Sequence, residues 1–228
     1  MSTQNAVIFD NDGIIVDTEP LHYEARRLEL EQYGITLTVE DYVRDWMSRH
    51  ISVGLTETLR RNGKDFTSFS LTKIASDITS RYNILRAQNL RFVGGFYDLF
   101  MRLAPHGVFA VASTQPRDSV VEGLRRLFSE AEFSLVKVII SGEDVQRNKP
   151  APDVYLEAVR QLGADPRQCV AIEDSVPGVL SAKAAGIKCI GRANRFTGRS
   201  CLETAGADAV CNDYAEVTVW SLQRILAP

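Results

Sequence analysis

The sequence predicts an α/β protein, a parallel sheet with helices on both faces, interrupted early by an all-helical insert. Three observations carry this. Short apolar runs, each closed by a polar or turn residue, recur through the later part of the chain and read as buried strands. Stripes at helical spacing separate them, the alternation expected of a parallel sheet. Between the first run and the second, residues 38–87 hold helical patches with polar joints and no convincing strand.

The first run is Ala6-Val7-Ile8-Phe9, and it closes on Asp10-Asn11-Asp12-Gly13. On a central strand, Asp10 would stand at the C-terminal end, where open α/β sheets build their ligand crevice. Asp10 and Asp12 are two apart and would face one side of an extended chain. Asp17 or Thr18 is placed to cap a helix with Pro20 in its first turn. That helix covers residues 21–33 and Gly34 stops it. Asn62-Gly63 and the serines at 68 and 70 mark joints within the insert.

The sheet pattern returns after Gly94-Gly95. Residues 108–112 form a strand ending on Ser113-Thr114, followed by a helix with Val120, Val121, Leu124, Leu127 and Phe128 on one face. Residues 136–140 form the next strand, closed by Ser141-Gly142-Glu143-Asp144. Asn148-Lys149-Pro150 then precedes a helix striped by Val154, Tyr155, Ala158, Val159 and Leu162. Residues 169–172 are a strand ending on Glu173-Asp174-Ser175, and its helix is closed by Gly186. Residues 187–190 and 209–211 complete the sheet, while 192–199, with three arginines, read as a surface loop without a function. The division is an α/β core of residues 1–16 and 92–228 and a helical insert of 17–91, placed over the strand ends.

Composition narrows the class. The chain has 228 residues, 45% of them apolar, enough to fill a real core. The net charge of -3 is dispersed, and no basic block suggests nucleic acid. No apolar run reaches membrane-spanning length, and the start lacks a secretory pattern. Four cysteines form no CxxC pair, and Cys169 and Cys189 read as small core residues. A reduced cytoplasm and a monomer or weak homodimer are the expectations.

The strand-end residues have plain structural alternatives. Ser113 could cap the following helix, Lys149 could be a solvated loop lysine, and Glu173-Asp174-Ser175 could cap the next helix and favour its dipole. All of them fall at one sheet edge, which coincidence explains poorly. Two carboxylates about 4 Å apart repel by about 4 kcal/mol at an effective dielectric of 20. A group of four such acids needs a cation or must stay protonated. All-oxygen ligands favour a hard ion, and magnesium suits a phosphate site. With a lysine and a hydroxyl beside it, such a site complements a phosphoryl group.

Four segments then carry a resemblance: Phe9-Asp10-Asn11-Asp12-Gly13; Ala112-Ser113-Thr114; Asn148-Lys149-Pro150-Ala151-Pro152-Asp153; and Ile172-Glu173-Asp174-Ser175-Val176-Pro177-Gly178. In order and spacing the chain resembles the haloacid dehalogenase superfamily, specifically the beta-phosphoglucomutase-like phosphatases with a helical cap. The resemblance implies a Rossmann-like core and a cap that sets substrate specificity. It implies Asp10 as the nucleophile that becomes an aspartyl-phosphate, and Asp12 as general acid and then base. Ser113 and Thr114 are implied to hold phosphoryl oxygens, and Lys149 to offset charge. Magnesium is implied on Asp10, the Asp12 carbonyl, Asp174 and Glu173. Resembling dehalogenases and phosphonatases lack an acid at the position of Asp12, so phosphate-ester chemistry is favoured.

The expected substrate is a small phosphorylated metabolite, with a sugar phosphate in view. Thr18 and His22 match positions that mutases and phosphatases share. The mutase pattern His-x-x-Ala-Trp departs here, since Arg26 follows Ala25, and Ile78 falls where mutases place a lysine. Both departures favour hydrolysis. Arg49 lies near a mutase arginine that grips a second phosphate, and is either such a group or a solvated cap residue. Trp46 and His50 are cap candidates, or core packing and a surface histidine. Two rivals remain, a sugar phosphomutase and a non-catalytic phospho-accepting signalling module.

Overall fold

The computed structural model describes residues 5–47, 49–64 and 71–227. The serine joint at 68–70 lies outside them. The chain forms two compact units, one from the segments up to Asp17 and from Arg91 onward, the other from Thr18 to Leu90. In chain order the elements begin with β1 (Ala6–Phe9), then α1 (Glu19–Glu31), α2 (Val39–Asp45), α3 (Ile51–Arg61) and α4 (Leu71–Asn89). There follow α5 (Phe96–Leu103), β2 (Val108–Ala112), α6 (Arg117–Leu127), α7 (Glu130–Phe133), β3 (Val136–Ile140) and α8 (Asp153–Leu162). The last are β4 (Cys169–Glu173), α9 (Val176–Ala184), β5 (Lys188–Arg192), α10 (Arg199–Thr204), β6 (Ala209–Cys211) and α11 (Val219–Leu226). Among the described residues no helix is long and apolar enough to cross a membrane.

The six strands are parallel and ordered β3-β2-β1-β4-β5-β6, so β1 is central. Phe9 is in register with Val111 on one side and Ile172 on the other. Every β1 residue is buried, as a strand covered on both faces must be. Ala6 and Ile8 join Ala110, Ala112, Ala171, Val154, Tyr155, Ala158, Val179 and Ala182 in one core cluster. The small alanines leave room there for the Tyr155 ring. Phe9 is set edge-on to Phe96, with ring centroids 5.2 Å apart, and lies 5.6 Å from Phe109. Phe100 stacks obliquely on Phe109 and Phe128, at 4.6 and 4.8 Å. Each such buried ring contributes about 2 kcal/mol.

Two elements differ from the sequence expectation. Helix α5 buries Phe96, Leu99, Phe100 and Leu103, a helical stripe too short to stand out beside Gly94-Gly95. Strand β5 runs on to Arg192, and beyond it Phe196 and Thr197 are buried. Residues 193–198 are the loop expected there, with Arg195 exposed, but Arg192 belongs to β5, Arg199 opens α10, and Phe196 and Thr197 turn inward. Gly191 permits this, because a Cβ there would meet the Leu202 side chain of α10 at 3.0 Å.

The unit from Thr18 to Leu90 has its own core of Ala25, Leu30, Leu55, Leu59, Ile74 and Ile78. Trp46 belongs to it, donating its indole N–H to Thr58 Oγ1 at 2.8 Å. Gly54 makes room for the ring, since a Cβ there would stand 2.5 Å from it. Thr18 is the residue before α1, yet its side chain makes no capping bond, and Pro20 occupies the first turn as expected. His50 caps α3 through its ring nitrogen. Gly34 ends the α1 turn with φ +68°.

Candidate active site

Parallel strands bring their C-terminal ends to one edge, and the chemistry-bearing residues follow from that. Asp10 comes directly after β1, and its N–H donates to Ile172 O at 3.0 Å. Ser113 comes directly after β2, with its N–H on Ile140 O at 2.9 Å. Glu173 is the last residue of β4 and Asp174 the next. The Lys149 ammonium joins them. It donates to Asp10 Oδ1 at 2.5 Å, Glu173 Oε1 at 2.7 Å and the Ala112 carbonyl at 2.8 Å. Its side chain is 6% exposed, so the solvated-loop alternative is excluded.

Glu173 is wholly buried. Besides Lys149 it accepts from the Tyr155 hydroxyl at 2.7 Å and from Ser175 Oγ at 3.2 Å. Ser175 is the N-cap of α9 and also accepts from Gly178 N at 3.1 Å. Capping thus falls to Ser175, while the two acids before it serve the sheet edge. Ser113 is no helix cap either. Its Oγ accepts from Gln115 N at 3.1 Å, and α6 starts only at Arg117, after Pro116.

Carboxylate oxygens of Asp10, Glu173 and Asp174 lie within 4.8 Å of one another. Glycines make the space. A Cβ at Gly13 would stand 1.9 Å from Asp174 Oδ2, and φ there is +77°. At Gly178 it would stand 2.0 Å from the Glu173 carboxylate. Three converging acids with oxygen donors only, Glu173 and Asp174 given room by glycines, fit a hard divalent cation. The Asp12 carboxylate is outside this group and accepts from Asn11 Nδ2 at 3.2 Å.

Burial pushes the Asp10 carboxyl up to about 8, with Glu173 and Asp12 adding and Lys149 opposing. Burial works against the Lys149 ammonium, but Asp10 and Glu173 outweigh it and hold it above the usual lysine range. Folded Asp10 thus holds its proton to far higher pH than the ordinary 3.8. Without metal, the folded state binds more protons across that window, so stability falls as pH rises through it. Melting in EDTA from pH 5 to 9 should show this decline; a rising melting temperature would contradict it.

Gly178→Ala separates local propensity from site packing. Alanine in a helix gains about 1 kcal/mol over glycine. Here the new methyl would overlap the Glu173 carboxylate, which Lys149, Tyr155 and Ser175 hold in place. A net loss of about 1–3 kcal/mol is expected from urea denaturation. An unchanged or higher midpoint would mean that the carboxylate moves freely.

Thr114 is exposed after β2. Thr18, His22 and Arg49 belong to the helical unit. The His22 ring stacks on Tyr82 at 3.9 Å, and burial, then Arg26 and Arg86, push its pKa down to about 3. Arg49 is exposed. Two contributors escaped sequence reasoning. Tyr155 was legible only as part of an apolar stripe, yet its hydroxyl holds Glu173. Asn194 Nδ2 donates to Asp174 Oδ2 at 3.0 Å. Its position just past β5, at the same sheet edge, was the available signal.

The sequence matches the haloacid dehalogenase-like hydrolase family over residues 7–192. The phosphorylated carbohydrates phosphatase of Thermotoga maritima is 33% identical over 208 residues, which cover 90% of this chain and 93% of that protein. Protein CbbY of Cereibacter sphaeroides is 30% identical over 216 residues, 93% of each chain. The crystal structure of CbbY (mutant D10N) from Rhodobacter sphaeroides in complex with xylulose-(1,5)bisphosphate is similar to this fold, with a TM-score of 0.75. That match has 29% identity and covers 96% of this chain and 99% of that one. A six-stranded parallel sheet with a helical insertion after its first strand, and these relatives, make the protein a phosphoric monoester hydrolase. The chain belongs to the haloacid dehalogenase-like hydrolases, in their beta-phosphoglucomutase/CbbY-like branch.

Proposed function

We propose that the protein is a magnesium-dependent phosphatase of a small phosphorylated sugar, working through an aspartyl-phosphate on Asp10. The observation that carries this is the Lys149 ammonium set between Asp10 and Glu173, with Asp174 completing the acidic group. Asp10, Asp174, Glu173 and the Asp12 carbonyl hold the ion. Magnesium bound there supplies Lewis-acid stabilisation of charge on the phosphoryl oxygens.

In this reading an Asp10 carboxylate oxygen attacks phosphorus as the bond to the leaving sugar oxygen breaks. Asp12 gives that oxygen its proton. Water then attacks phosphorus and passes a proton to Asp12, freeing the Asp10 carboxylate and inorganic phosphate. Lys149 offsets the charge of Asp10 and the phosphoryl group, while Ser113 and Thr114 donate to its oxygens. The helical unit, with Thr18, His22 and Arg49, discriminates among substrates. Sugar phosphates are favoured because a relative at 33% identity is a phosphorylated carbohydrates phosphatase.

Hydrolysis is favoured over sugar-phosphate isomerisation by Ile78, which lies in the helical unit's apolar core where mutases carry an ammonium. A screen of sugar phosphates, hexose 1-phosphates included, tests the reading. Inorganic phosphate should appear with magnesium and stop with EDTA, without isomerised sugar phosphate. Isomerised product in place of phosphate would establish a mutase.

Magnesium and a proton compete for Asp10 in this reading. Below about pH 8 each ion bound should release up to one proton. Calorimetry at pH 7 in two buffers of different ionisation enthalpy measures it. No proton release would mean that Asp10 is already ionised.

A further inference from the structure

We infer that Asn194 is a positioning residue that fixes the Asp174 carboxylate for the metal. The inference rests on the magnesium reading above, and deepens it.

The amide of Asn194 has one possible orientation. Its Oδ1 accepts from both Phe196 N and Thr197 N, each at 2.8 Å. Its own N–H donates to the Thr197 carbonyl at 3.0 Å, closing the turn. With the oxygen committed to two backbone donors, the amide nitrogen is left to face Asp174, and it donates to Oδ2 at 3.0 Å. Asp174 Oδ2 thus has Asn194 as a donor, and the Gly13 backbone lies so close that a Cβ there would overlap it. Asp174 itself is only 9% exposed. A carboxylate held this way cannot rotate without breaking the bond to Asn194.

The segment that carries Asn194 is anchored accordingly. Arg192 ends β5, Ala193 N donates to Cys211 O at 2.8 Å, and Phe196 is buried. The rigidity serves the amide, since Asn194 is the residue of this segment whose side chain bonds a member of the acidic group. Residues that orient metal-ligating carboxylates typically change metal affinity 10–100-fold when replaced.

Asn194→Ser is the discriminating variant. A serine hydroxyl can still take up the turn N–H groups, as Ser does in place of Asn in such turns, but it is shorter and loses the amide donor. Magnesium affinity should fall about 10–100-fold by calorimetry, while the melting temperature in EDTA stays near that of the unaltered protein. Asn194→Ala removes both functions and should weaken magnesium equally while also lowering the EDTA melting temperature. Thr197→Val is the control. Its hydroxyl has no hydrogen-bond partner among the described residues, and valine keeps the N–H that Asn194 accepts. Its magnesium affinity should be unchanged. Magnesium binding by Asn194→Ser within twofold of the unaltered protein overturns the inference and leaves the magnesium reading intact. No magnesium binding by the unaltered protein overturns that reading, and the inference with it. Equal weakening in Thr197→Val would assign the effect to the turn as a whole, and overturn the role given to the amide.

Discussion

Asp10→Asn is expected to lose at least about 1,000-fold in turnover while the fold stays intact, because an amide cannot take the phosphoryl group as a carboxylate does. The shape is preserved. Asparagine can still accept from Lys149 through Oδ1 and keeps the backbone bond to Ile172. A buried carboxyl whose charge is disfavoured by its surroundings is replaced by a neutral group, so thermal stability in EDTA should be near that of the unaltered protein or above it. Substrate binding should survive, because asparagine keeps the shape of the carboxylate it replaces. Initial rates with and without magnesium, beside melting curves, make the test. Magnesium-dependent turnover at a tenth of the normal rate or more would falsify the nucleophile assignment.

Lys149→Met acts on stability as well as rate. The ammonium is the cation bonded to both Asp10 and Glu173. Removing one partner of a buried ion pair costs about 3–5 kcal/mol, because the remaining charge is left uncompensated. For a chain of this size that corresponds to a melting temperature about 6–20 °C lower. The loss should depend on pH with a definite sign. Without the ammonium, the Asp10 carboxyl holds its proton to still higher pH in the folded state than in the unfolded chain. The folded variant therefore binds more protons, and its stability improves as the pH falls from 8 toward 5. Melts in EDTA at pH 5 and pH 8 measure both effects. A deficit that is equal at the two values would mean that Lys149 acts by packing alone. Turnover should fall by at least about 100-fold, since a fixed positive charge beside the transferring group is removed.

How much of this was legible in sequence depended on whether the chemistry had a local signature. Asp10, Ser113, Glu173 and Asp174 each follow an apolar run, and strand ends in a parallel sheet converge by geometry alone. Lys149 had no such mark of its own, and the motif around it supplied the expectation. Tyr155 was read for its face and not for its reach, because periodicity says which side of a helix is buried but not what the hydroxyl meets. Asn194 was hidden by a misread boundary. Gly191 and Arg192 lack strand propensity, yet pairing of Glu173 with Gly191 carries β5 through them. Phe96 to Leu103 went unrecognised as a helix, since eight residues give barely two turns of pattern. The helical unit was legible as helical but not in its packing. Trp46, read from sequence as a cap candidate or as core packing, is core, held by Thr58 and seated on Gly54.

The stem from which the helical unit departs has its own consequence. Val16 and Phe92 form an antiparallel bridge, Val93 N donates to Ile15 O at 2.9 Å, and Asp17 N donates to Arg91 O at 3.0 Å. Arg91 and Asp17 add an ion pair at 2.8 Å. Both ends of the excursion are thus stitched side by side by bonds that belong to the sheet-bearing unit. A few residues of turn would join them as a hairpin, so whatever is spliced between Asp17 and Arg91 can be lengthened, replaced or grafted from another chain without unpicking the strands that bear Asp10, Glu173 and Asp174. Any such exchange is thereby confined to a single seam of the chain.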